Sequence, residues 1–457
     1  MAKQAVIVGG GFAGLTAGVA LADAGWQVTV LERHASLGGR ARSFTDPATG
    51  DIIDNGQHVF LSCYDHTLRF LTRLGTADRL VFQDRLEVAF AEPGRRLAVL
   101  RCPKLPAPWH VGVGLLGLSN LSWADKLAMW RVWTAVGRRV ADGAGTLDRM
   151  TVAAWLASLG QSARSRQVFW DPLAIAALNE APTQASALGF ATVLARMFGT
   201  DWRASRLGLA SVGLSDLYTV AASHVIAAAG GSIRLNTAVA AMEGDGGGGR
   251  ASGVRLASGE RLIADAYVSA VPPRDLVRLL PGSLLDQDAA VAQARRFSSS
   301  PIVSINLWLD RAITDQPFVG FIGTRVQWLF NRPRLITPTH SARHVALVIS
   351  AAAAFLAWSN EALVTMALDD LRACLPSARD AQLIRAQVVR EHHATINTPR
   401  GSHAWRPGPT TTWENLFLAG DWTATGLPAT IESAVASGYA AADCLLLRPR
   451  RGATRRP

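Results

Sequence analysis

The sequence predicts an α/β fold, a parallel sheet flanked by helices, with an α+β part inserted into it. Three observations lead there: a β-branched run that breaks into glycines at the start of the chain, a second strand-to-helix joint near its end, and a β-rich stretch between them. At 457 residues the chain exceeds what one hydrophobic core usually serves, so more than one domain is expected.

Ala5 to Val8 suits a buried parallel strand, and FAGLTAGVALADAG after it has helical spacing. Gly9, Gly11 and Gly14 at the joint form G-x-G-x-x-G. The first glycine allows a tight turn, the second lets a phosphate reach the backbone, and the third lets helix and strand pack closely. The free amides at the helix start, at Phe12 and Ala13, then face a pyrophosphate. The second strand, WQVTVLE, ends at Glu32, 18 residues past Gly14 and just before Arg33. A carboxylate there accepts hydrogen bonds from an adenosine ribose and repels a 2′-phosphate. Strand, glycines, helix, strand and terminal acid in that order predict dinucleotide binding. LGGRARSF adds Gly38, Gly39 and Arg40, a second glycine pair with a guanidinium that can reach the same pyrophosphate.

With VLERHASLGGR, this opening resembles the glutathione-reductase-type FAD domain, with its parallel Rossmann sheet, of the amine oxidase and phytoene desaturase superfamily; FAD is the implied cofactor. One departure is visible: amine oxidases commonly carry an arginine two positions after the acid, where this chain has His34. NLFLAGDWTATGLPATIESAVASGYAAA resembles the C-terminal FAD motif of the same superfamily, with a strand from Leu416 to Ala419 and a helix beginning near Thr430. The resemblance implies that Gly420 and Asp421 meet the ribityl and pyrophosphate region, and that Thr430, Ile431 and Glu432 face the flavin pyrimidine. A helix N-terminus offers amides and a positive dipole end to the negative charge of a reduced flavin.

From Ser215 to about Leu280 the pattern turns β-rich, and the run GDGGGGR and the turn ASGE read as hairpin loops. This resembles the family's middle FAD segment, in which the backbone near Val239 meets the adenine and Ala266 to Val271 returns to the sheet. The expected FAD domain is therefore discontinuous, 1–78, 215–290 and 408–447, with a substrate domain of 79–214 and 291–407 and a basic disordered tail of 448–457.

Following the glycine pair, DIIDNGQHVFLSCYDHTLRFLTRLG gathers Asp54, Asn55, Gly56, Gln57 and His58 before an apolar run. This stretch resembles the squalene-associated, FAD-dependent desaturase-like branch, whose activity is the dehydroxylation of hydroxysqualene to squalene in hopanoid biosynthesis. The resemblance implies an isoprenoid lipid substrate, reduced FAD as donor, an electron source that no motif identifies, and a loop under the flavin that brings Gly56, Gln57 and His58 to the cofactor. Release of an allylic hydroxyl needs an acid, and His58 and Asp54 are the candidates; for His58 a structural role is an equal reading. Within the class, a carotenoid desaturase or another amine-oxidase relative is the rival. From another class, the fold also serves prenyl-lipid carriers without redox chemistry.

Composition bounds the rest. Hydrophobic residues make up 49% of the chain and charged ones 18%, so an ample core and a greasy pocket are within reach. The net charge of +11 rests on scattered arginines, with lysine only at 3, 104 and 126; this reads as coding preference and not as nucleic-acid binding. The final RPRRGATRRP reads as a solvated tail, with attraction to acidic lipid as the second reading. Cys63, Cys102, Cys374 and Cys444 lie far apart, which predicts neither disulfides nor a metal site and fits a reducing cytosol. No signal peptide is read ahead of the first strand, and HVALVISAAAAFLAW is too short to span a bilayer. A cytoplasmic protein is expected, at most peripheral to the membrane. Trp109, Trp123, Trp130 and Trp133 lie in an apolar helical stretch that reads either as core or as a membrane-facing entrance.

Overall fold

In a computed structural model that describes residues 2–142, 144–199, 201–245, 249–336 and 343–448, five strands form one parallel sheet. Their spatial order is Ser232–Arg234, Gln27–Leu31, Gln4–Val8, Ala266–Ser269 and Leu416–Leu418. Ala5 stands between Val28 and Ala266, and Tyr267 stands opposite Leu416, so the last strand of the chain enters the sheet two places from the first, with Ala266–Ser269 between them. Side chains alternate between the two faces. Ala5, Ile7, Val28, Val30 and Val268 pack under the helices Phe12–Asp23, Leu214–Ala228 and Ile431–Leu447. Val6, Leu31, Tyr267, Leu416 and Leu418 pack on the other face against Met242, Val254, Leu276 and Trp422. Both faces are covered, which is why these strands read as unbroken apolar runs.

The first and last helices lie against each other at closest approach. A Cβ on Gly438 would sit 2.4 Å from the Ala13 carbonyl oxygen, so only hydrogen fits there. Sequence reading misses one element: the stretch from Ser215, expected to be β-rich, opens with the 15-residue helix Leu214–Ala228, and its strands start only at Ser232. Leu214, Leu217, Tyr218, Ala222 and Ile226 recur at helical spacing and are buried, so the helical period prevails over the alternation that begins after it. Residues 246–248 of the glycine run, and all of the basic tail but Arg448, lie outside the described residues.

A second, seven-stranded sheet has the order Leu383–Ile396, Ser299–Leu309, His344–Ile349, Trp328–Asn331, Phe318–Phe321, Glu87–Ala91 and Ala98–Arg101. One face packs on the helix Asn360–Cys374 through Ile305, Leu307, Leu347 and Leu363. The other meets a helical layer in which Trp155, Trp170, Phe190 and Phe198 are buried. The tryptophan stripe divides: Trp133 belongs to this core, while Trp109, Trp123 and Trp130 are 58%, 67% and 39% exposed. The four cysteines are free, and among the described residues no cluster suits a metal ion and no helix is long and apolar enough to cross a membrane.

Candidate active site

A cavity of about 1080 Å³ runs from the glycine turn of the parallel sheet to the inner face of the seven-stranded sheet. The turn shows three glycines in three roles. Gly9 has φ +108°, a left-handed conformation that a side chain resists. A Cβ on Gly14 would stand 1.9 Å from the Gly9 carbonyl oxygen, so this glycine is pressed against the turn and is not on the cavity wall. Gly11 is open: the atom nearest to an added Cβ is the Gly38 carbonyl oxygen at 3.9 Å, and the helix that follows starts without a side-chain cap. Its first amides, at Phe12 and Ala13, therefore line the cavity with no side chain to satisfy them. Glu32 is buried at the adjoining strand end, where its two oxygens accept the Gly10 and His34 N–H groups at 2.9 and 3.0 Å. One acceptor position on each oxygen is left for a ligand hydroxyl.

Gly38, Gly39 and Arg40 form the opposite lip. Tyr218, which sequence reading did not single out, holds that lip: its hydroxyl donates to the Gly38 and Ala41 carbonyls at 2.9 and 3.1 Å, and its ring stacks on Phe12 at 3.7 Å. Arg40 donates to Asp421 at 2.7 Å, joining the N-terminal lip to the loop after the last strand. Burial works against the Arg40 charge, but Asp421 and Glu391 outweigh it and its pKa is raised. Gly420, Asp421, Thr430, Ile431 and Val239 all line the cavity, and Thr430 caps the final helix by accepting the Ser433 N–H. Arg406 holds the Asp421–Leu427 loop through the Asp421 and Leu427 carbonyls. Glu432 points elsewhere. Its buried carboxylate accepts the His66 and Thr67 N–H groups at 3.0 and 2.9 Å and the Thr67 hydroxyl, so its side chain fastens helix Asp65–Leu74.

The Asp54 to His58 loop separates the two acid candidates. Asp54 is off the cavity wall; it pairs with the buried Arg332 at 2.8 Å and accepts the Ser43 hydroxyl and the Leu214 N–H. Both of its oxygens are committed inside the protein, so Asp54 is placed as a structural anchor and not as the acid. Arg332 also donates to Gln57 at 2.7 Å and to the Ile52 carbonyl, so it pins the loop from the far side. Gly56, Gln57 and His58 face the cavity. His58 Nδ1–H donates to the Gly56 carbonyl at 2.9 Å, which leaves Nε2 as the free ring nitrogen. Burial, with Arg40 adding to it, lowers the His58 pKa despite Gly56 and Asp54. Two more groups on this wall escaped sequence reading: Glu391, which accepts from Asn55 at 3.1 Å, and Tyr64, whose burial raises its pKa and keeps the phenol protonated. No motif marks them, since they come from a sheet edge and a helix start far apart in the chain.

Beyond this junction the wall turns apolar. Val88, Phe90 and Leu100 from one pair of strands with Leu86 just before it, Phe318, Trp328 and Phe330 from another, and Phe169, Leu173, Met197 and Phe198 from the helices enclose it.

An orphaned helix start, a glycine that leaves backbone open, and an arginine on the lip together suit a pyrophosphate, and the long adjoining cavity suits the rest of FAD. The model of the flavin containing amine oxidoreductases matches residues 12–446, and the chain belongs to that family. It is an FAD-dependent oxidoreductase, which removes the carrier reading. Among curated relatives, it is 31% identical to the hydroxysqualene dehydroxylase of Rhodopseudomonas palustris over 98% of this chain and 100% of that one. It is 27% identical to a probable zeta-carotene desaturase of Synechococcus elongatus over 97% and 98% of the two chains. Among solved structures, the cyclohexylamine oxidase of Brevibacterium oxydans superposes with a TM-score of 0.72 at 20% identity, covering 98% of this chain and 99% of that one.

Proposed function

We propose that the chain carries out the reductive dehydroxylation of hydroxysqualene to squalene in hopanoid biosynthesis, with reduced FAD as donor and an isoprenoid lipid as substrate. The carrying observation is the apolar compartment that opens from the cofactor end of the cavity, bounded by Phe90, Phe318, Trp328, Phe330 and Phe198. Burying hydrocarbon there is favourable at about 25 cal/mol per Å². Bound FAD supplies hydride and electron transfer. The residues do the rest. Phe12, Ala13 and Arg40 bind the pyrophosphate, Glu32 the ribose, and Asp421 holds Arg40 in place; the aromatic walls exclude water. His58 is the acid. Its Nδ1–H is committed to Gly56, so Nε2 delivers a proton only from the doubly protonated ring. Because burial lowers its pKa, turnover should rise as the pH falls below the ordinary histidine range.

Relatives named hydroxysqualene dehydroxylase at 31% identity favour this reading over desaturation, for which the 27% relative speaks. The test is anaerobic: reduced enzyme plus hydroxysqualene should give squalene and oxidised flavin. Oxidised enzyme that instead converts phytoene, with no squalene from the first mixture, turns the assignment to a desaturase. His58→Ala with FAD retained and turnover unchanged takes His58 out of the mechanism.

A further inference from the structure

The helices Trp109–Leu116 and Trp123–Asp142 are apolar on two sides. Inward, Val111, Leu115, Met129, Val132 and Trp133 belong to the core. Outward, Trp109, Val113 and Leu116 repeat at i, i+4, i+7, and so do Trp123, Leu127 and Trp130. These six are between 39% and 74% exposed, Leu127 the most. The two stripes adjoin, with the Trp109 and Trp130 rings 5.2 Å apart. A helix in water has no reason to carry a second apolar face, and a contiguous patch of this kind marks a binding surface.

What covers it is indicated by charge. From Arg101 to Thr134 the cations are Arg101, Lys104, Lys126 and Arg131; Arg101 and Lys104 are paired with Glu87 and Asp84 at 2.7 and 2.6 Å, and the one carboxylate of the stretch, Asp125, is buried as a cap for Ser122, so Lys126 and Arg131 are the cations of the second helix itself. Lys126 sits 4.9 Å over the Trp123 ring and donates to the Leu116 carbonyl, holding a cation at the edge of the patch. Tryptophan and leucine beside cations suit the boundary of headgroup and acyl chain in an anionic bilayer. A second copy of a chain with net charge +11 is a poor partner for the same rim.

We infer that these two helix faces form a docking surface for an anionic phospholipid bilayer, placed to load the cavity. Helix Trp109–Leu116 lies one layer behind the cavity wall: Gly114 presses on Cys102, two residues past the cavity residue Leu100, and His110 packs on Phe198, another cavity residue, at 6.1 Å. The purpose of the surface rests on the isoprenoid reading above, but vesicle binding is measured without substrate, so the two fail independently.

The test is co-sedimentation of the FAD-loaded full chain with vesicles of phosphatidylcholine and phosphatidylglycerol, beside phosphatidylcholine alone. Wild type should pellet with the anionic vesicles and less with the neutral ones. Trp123→Ser and Leu127→Glu should each lower partitioning about tenfold, the worth of one large apolar side chain, with flavin content and melting temperature unchanged. Turnover of vesicle-borne substrate should fall in step, while turnover in detergent holds. Equal pelleting by the variants, or no pelleting by wild type, overturns the inference. A dimer that Leu127→Glu converts to monomer without any effect on vesicle binding assigns the patch to a second copy instead.

Discussion

Replacing Arg332 by Leu should destabilise the protein through the charge it leaves behind. Arg332 and Asp54 are 4% and 5% exposed, so the aspartate would stay buried without its partner, and Gln57 and the Ile52 carbonyl would each lose a donor. Breaking a buried pair in this way costs about 3–5 kcal/mol. With an unfolding entropy of roughly 2.1 cal/mol/K per residue, a cooperative unit the size of this chain loses about 3–5 °C in melting temperature. The loop that carries Gly56 to His58 should loosen with it, and flavin content should fall. Thermal melts of Arg332→Leu, Asp54→Asn and the double variant, with flavin absorbance read in parallel, form a complete cycle. The double variant should recover more than half of the single variant's loss, because it removes both charges together. A loss below about 1 kcal/mol in Arg332→Leu, or a double variant no better than the single, refutes the role given to this pair.

Other substitutions separate the glycine roles and the buried histidines. Gly11→Ala meets no protein atom within 3.9 Å, so it should fold as the wild-type apoprotein does and lose FAD affinity alone; Gly14→Ala, 1.9 Å from the Gly9 oxygen, should lose both flavin and stability. Absorbance ratios and apoprotein melts distinguish them. His110 is buried with no hydrogen-bond partner on either ring nitrogen, so His110→Leu should be neutral or stabilising by about 1 kcal/mol in a thermal melt. His344, stacked on Trp308 at 4.3 Å, has its pKa pulled down from 6.5 to about 3, first by burial and then by Arg332. The unfolded chain takes that proton first, so the contribution of neutral His344 is whole above pH 6.5 and is lost as the pH falls toward about 3. The slope is on the order of 1.4 kcal/mol per pH unit, and His344→Gln should flatten it in denaturant melts across that range.

The cofactor half of this protein is legible because its chemistry is local. A turn that must admit phosphate needs glycine at set offsets, and a strand buried on both faces needs an apolar run, so Gly9, Gly11, Gly14 and Glu32 stand within one strand-helix-strand unit. The same holds at Gly420 and Asp421. What the tertiary structure alone decided lies in contacts between distant segments. Arg40 meets Asp421 across the chain, Tyr218 reaches back to Gly38, Glu391 arrives on a sheet edge, and Arg332 claims Asp54 and so removes it as an acid. Glu432 likewise turns from the cofactor to a helix start at His66 and Thr67. Neighbourhood in space sets whether a carboxylate serves a ligand or the fold, and spacing along a chain carries no record of it.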